Sequence, residues 1–84
     1  MSKTKQLMKN AELSEKLAEY IASNPSATKH LPDGASFVVF SYKNKELNKA
    51  NQGLVDSLKS EGQKVVKATQ KTSKNQAWSF SLAV

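Results

Sequence analysis

Between Ala35 and Gln70 an apolar strand pattern, a helical pattern and a second strand pattern follow one another with only short links between them. Strands joined this tightly through a helix are expected to lie parallel with a right-handed crossover, the sense in which a right-twisted strand and its helix pack back onto the sheet. The first strand, Ala35 to Tyr42, is apolar on both faces. Phe37 and Val39 project one way, and Val38, Phe40 and Tyr42 the other. The helix runs from Lys45 to Glu61, with Asn44 as its N-cap, Leu47, Ala50, Leu54, Val55 and Leu58 as its apolar face and Gly62 as its left-handed stop. Gln63 to Gln70, centred on Val65 and Val66, is the second strand.

Both flanks have a readable period. Leu13, Leu17, Tyr20 and Ile21 recur at helical spacing and Leu7, Met8 and Ala11 extend the stripe, which predicts a helix over about Gln6 to Ser23. Residues 1–5 are expected to fray, and Asn10 is a candidate cap for a shorter version of the helix. Asn24 and Pro25 stop the helix and can open a short turn to His30, and Leu31-Pro32-Asp33-Gly34 is a turn. After a polar loop, Lys71 to Gln76, the large residues Trp78, Phe80, Leu82 and Val84 alternate with Ala77, Ser79, Ser81 and Ala83, which predicts a third strand antiparallel to its predecessor. The fold expected is a small two-layer α/β or α+β domain over residues 1–84. Its element order is α-β-α-β-β, with two helices on a three-stranded mixed sheet and a parallel βαβ crossover. The two-sided apolar strand is expected in the middle of the sheet, although a simple hairpin of strands two and three would place the second strand there.

Leu7-Met8-Lys9-Asn10-Ala11-Glu12-Leu13-Ser14, Tyr20, Pro25, Leu31-Pro32-Asp33-Gly34-Ala35, Glu46-Leu47, Asn51 and Gly62-Gln63-Lys64-Val65-Val66 together resemble a family of short uncharacterised prokaryotic proteins, a domain of unknown function. The resemblance covers both helices and the first two strands and rests on capping, turn and core residues. It supports the fold and implies no activity. The chain departs from the family's acidic tendency just before the second helix, where it has Lys43-Asn44-Lys45.

A chain of 84 residues has room for one modest core, so self-association is a natural way to bury more surface. With no cysteine and one histidine, His30, it offers no disulfide framework and no thiolate or imidazole metal cluster. Lys9, Glu12, Glu15 and Lys16 interrupt any apolar leader, and the longest apolar run, Phe37 to Phe40, is far too short to span a membrane, so the cytoplasm is the expected location. Thirteen lysines against seven acids give a formal charge of +6, which admits nucleic acid or another polyanion as a weak partner. The absence of arginine argues against reading of base edges, and lysines also solubilise small domains.

No catalytic motif is present and no cofactor is expected. The link Tyr42-Lys43-Asn44-Lys45 has no glycine with which to cradle a phosphate, and His30 lies at the wrong end of the first strand to serve a triad. Most acids fall on polar helix faces. One convergence remains, at the C-terminal ends of the parallel strands. There Lys43, Asn44, Lys45, Lys71 and Lys74, with Asn75, gather near the N-terminus of the second helix as a candidate anion site. Phe37, Phe40, Tyr42, Trp78 and Phe80 are expected in the core rather than on a stacking platform, Trp78 and Phe80 meeting Leu17, Ile21, Leu54 or Leu58. These features favour a non-enzymatic binding or protein-interaction module that self-associates through a sheet face or edge, ahead of weak polyanion binding and of a small-anion enzyme.

Overall fold

The computed structural model describes residues 1–72 and 76–83. The elements run α1 (Lys3–Ser23), a 3-10 turn (Pro25–Thr28), β1 (Ser36–Phe40), α2 (Lys45–Ser60), β2 (Val65–Gln70) and β3 (Trp78–Leu82). Val84, expected in the third strand, and the loop residues Lys74 and Asn75 lie outside the described residues. The molecule is a small α+β domain with two helices on a three-stranded mixed sheet.

Helix α1 starts earlier than its apolar stripe suggests because Ser2, not Asn10, caps it, its hydroxyl accepting from the Lys5 N–H at 3.1 Å. Asn44 caps α2 as expected, accepting from Leu47 N–H at 3.0 Å. Gly62, at φ +82°, takes the left-handed conformation that ends the helix and sends the chain into β2.

The sheet order is β1-β2-β3, with β1 parallel to β2 and β2 antiparallel to β3. The expectation that β1 is central is therefore corrected: β2 is, through the local hairpin it makes with β3. The two-sided apolar character of β1 has another cause. Ser36 N–H donates to Lys64 O, which turns the backbone groups of residues 36, 38 and 40 toward β2 and those of 37, 39 and 41 outward. Helix α2 occupies that outer side. Asn51 Nδ2 donates to Val39 O at 2.8 Å, and the Asn48 amide both accepts from Ser41 N–H and donates to Ser41 O, each at 2.8 Å. A helix with amide side chains thus stands where a neighbouring strand would along the C-terminal part of β1, covering Val38, Val39 and Phe40 and blocking that part of the edge.

The core divides across β1. Val39 joins Ala68 and Trp78 with Leu13 and Leu17 of α1 and Leu47 of α2, and Tyr20, Ile21 and Phe80 pack at the margin. Val38, Phe40 and Val65 pack with Val55 of α2, flanked by Leu58 and Ala83. Trp78 and Phe80 therefore meet α1 and not Leu54 or Leu58. Leu54 is 39% exposed, and its expected place on the buried face of α2 is taken by Asn51, which is fully buried. Phe37 and Tyr42 are also exposed, against the expectation that they fill the core.

Candidate functional site

Two surfaces combine chemistry with incomplete cover. The first is a cleft of 160 Å³ at the C-terminal ends of β1 and β2, where α1 passes the start of α2. Lys9, Glu12 and Lys16 of α1 face Tyr42, Lys43 and Gln70 across it. Of the residues proposed from sequence, Lys43 and Asn44 line this cleft. Lys45 is exposed on the first turn of α2 and Lys71 is exposed beyond β2, and neither lines it. Lys74 and Asn75 lie outside the described residues. Lys9 and Lys16 were missed. Their spacing with Glu12 puts all three on one side of α1, a signal present in the sequence, but only the docking of α1 turns that side toward the strand ends.

The local polar groups of this cleft are largely occupied. The buried Ser41 hydroxyl accepts from the Lys43 and Asn44 N–H groups, both at 3.2 Å, and Asn44 Oδ1 serves the α2 cap. Lys9 approaches Glu12 at 3.8 Å. In the first turn of α2, Glu46 accepts a hydrogen bond from the Met1 ammonium at 2.9 Å. That bond and charge, with Lys5 nearby, hold its carboxyl below the usual glutamate range. What faces solvent is Tyr42, 52% exposed with Lys43 Nζ 5.7 Å from its ring centre, bordered by Lys9 and Lys16.

The second surface is the outer side of β3. Lys71 N–H donates to Ala77 O and Ala83 N–H to Val65 O, so residues 77, 79, 81 and 83 turn their backbone groups to β2. The N–H and C=O of Trp78, Phe80 and Leu82 then point away from the sheet. Among the described residues no element pairs with them, in contrast to the amide-capped edge of β1. Trp78–Leu82 contains no proline and no charge, the features that ordinarily protect an edge. Along this strand lies an open groove of 510 Å³, bordered by Tyr20, Ala27 and His30 on one side and Gln76, Trp78, Ser79 and Phe80 on the other. His30 is exposed in the turn that follows the 3-10 segment.

Among the described residues no three His, Cys, Asp or Glu side chains gather to hold a metal ion, and no helix is long and apolar enough to cross a membrane. In comparisons with known proteins, the model of a family of unknown function, DUF5647, matches residues 5–78. No curated protein and no solved structure matches the chain.

Proposed function

We propose, for a chain that belongs to this family of unknown function, a non-enzymatic role as a protein-interaction module that takes its partner by strand addition along the outer edge of β3. The observation that carries this reading is the asymmetry of the two edges. Asn48 and Asn51 occupy Val39 O and both backbone groups of Ser41 on the edge of β1, whereas Trp78, Phe80 and Leu82 present donors and acceptors that no described residue meets, on an uncharged strand. Main-chain hydrogen bonds give such an edge affinity, and the adjoining groove, walled by Tyr20, Ala27, Trp78 and Phe80 with His30, Gln76 and Ser79 beside them, gives it a recess for a partner side chain. A peptide copying residues 77–83 is a direct probe. Titrated into isotope-labelled protein, it is expected to shift the amide resonances of Trp78, Phe80 and Leu82 and leave those of Val39 and Ser41 in place. Shifts confined elsewhere, or none at millimolar peptide, would overturn the reading.

A second reading is favoured by one observation, the exposed Tyr42 ring among Lys9, Lys16 and Lys43. An aromatic face beside ammonium groups suits single-stranded nucleic acid, whose bases stack and whose phosphates pair with lysine. Under it, changing the three lysines to glutamine reduces the slope of log affinity against log salt by about 2, at roughly 0.7 per phosphate contact on a single strand. An unchanged slope, or no binding to a mixed-sequence oligonucleotide at low salt, removes it.

A further inference from the structure

We infer that the partner at the β3 edge is a second copy of this chain, paired antiparallel about Phe80 so that two three-stranded sheets join into one; the inference rests on the reading of that edge as the interaction surface. The outward groups come in a set that closes on itself. With Phe80 opposite Phe80 of the second copy, Trp78 faces Leu82 and Leu82 faces Trp78. Every N–H and C=O that these residues turn outward then meets its complement across the twofold axis.

The side chains agree with this register. Trp78, Phe80 and Leu82 share one face of β3 and Ser79 and Ser81 the other, so pairing about Phe80 sets large apolar groups beside large apolar groups and hydroxyls beside hydroxyls. No charge is placed opposite a like charge, although each chain carries a formal +6. Leu82 is 45% exposed in a single copy. In the pair it comes to lie opposite Trp78, at the groove bordered by Tyr20 and Ala27 of the other chain, and the symmetry repeats this contact. An exposed leucine thereby meets the Tyr20, Ala27 and Trp78 walls of a groove whose margin carries His30, Gln76 and Ser79. A five-residue strand gives a small interface, so the pair is a concentration-dependent dimer rather than an obligate one.

Positions 79 and 81 test the register, because in this pairing each lies opposite the other across the axis. The doubly changed proteins Ser79→Glu/Ser81→Glu and Ser79→Lys/Ser81→Glu both place a glutamate opposite Lys67 within the hairpin, so their folds are matched and they differ only at position 79. Light scattering coupled to size exclusion, over about 5 μM to 1 mM protein, is expected to show the unmodified chain passing from monomer to dimer. The glutamate pair should weaken the dimer by about tenfold or more, through two like-charge oppositions, and the lysine–glutamate pair should keep it. Circular dichroism verifies that both variants fold. A monomer throughout the range for the unmodified chain overturns the inference, while the peptide titration still decides whether β3 accepts a different strand. A dimer equally strong in all three proteins places the contact elsewhere and, with a negative titration, overturns both. Equal weakening by both variants refutes the register.

Discussion

Asn51→Ala is expected to lower folding stability by about 3 kcal/mol, a large share of the roughly 4–13 kcal/mol that a domain of 84 residues possesses. Asn51 is fully buried between the helices and β1, and its amide uses every valence. Its Oδ1 accepts from Gln6 Nε2 at 2.9 Å and Asn10 Nδ2 at 3.1 Å, and its Nδ2 donates to Asn10 Oδ1 and Val39 O, both at 2.8 Å. Alanine removes all four bonds and leaves the Asn10 amide and the Val39 carbonyl facing an apolar void, where each unsatisfied group costs about 1–3 kcal/mol. Asn51→Asp separates hydrogen bonding from volume: the shape is kept, but a carboxylate oxygen confronts the Val39 carbonyl, and the loss should be at least as large. Urea unfolding supplies both values. In a double-mutant cycle with Asn10→Ala, a coupling of about 1–2 kcal/mol is expected, because the two amides bond to each other twice. Additive losses, or a loss below about 1 kcal/mol for Asn51→Ala, would show that solvent or neighbours satisfy these groups.

The same residue marks where the sequence stops being legible. On a helix, Leu47, Asn51, Val55 and Leu58 fall on one stripe. A binary reading of apolar and polar residues skips Asn51 and recruits Ala50 and Leu54, and Leu54 is substantially exposed. What makes Asn51 a core residue is the outward carbonyl of Val39, and that carbonyl belongs to an edge only because β2 lies in the middle. The pattern of β1 correctly indicated burial on both faces at Val38, Val39 and Phe40, though not at Phe37 or Tyr42, but burial by a helix and burial between strands leave the same trace in sequence. Caps and turns were more legible because their partners are local: Asn44 acts on Leu47, and Gly62 takes its left-handed conformation whatever surrounds it. At the strand ends Lys43 and Asn44 could be placed from topology alone, whereas Lys9 and Lys16 depend on how α1 crosses the sheet. The alternation of β3 was plain, but its free edge could be seen only once the strand order was known.

Phe40→Ala should cost about 3–5 kcal/mol, because it opens a cavity on the side of β1 that α2 covers. The ring is 7% exposed and packs with Val38, Val55 and Val65. Its remaining cover is a polar lid: Lys67 Nζ stands 4.7 Å from the ring centre and donates to Gln52 Oε1 at 3.2 Å, and Gln52 Nε2 donates to Asp56 at 3.1 Å. Cavity and lid separate by magnitude. Phe40→Leu retains most of the volume and should cost less than about 1.5 kcal/mol, and Lys67→Met, which keeps the stem and removes the ammonium, about 0.5–1 kcal/mol. In melting temperature the alanine variant is expected to fall by roughly 12–40 °C and the lysine variant by no more than about 8 °C. Equal losses would mean that the lid, and not the packing beneath it, holds α2 against β1. The expected ordering also bears on charge as a guide to partners. Lys67 counts toward the +6 of the chain, yet its ammonium is engaged with a ring and an amide of its own fold, so the formal total includes charge already used within the domain.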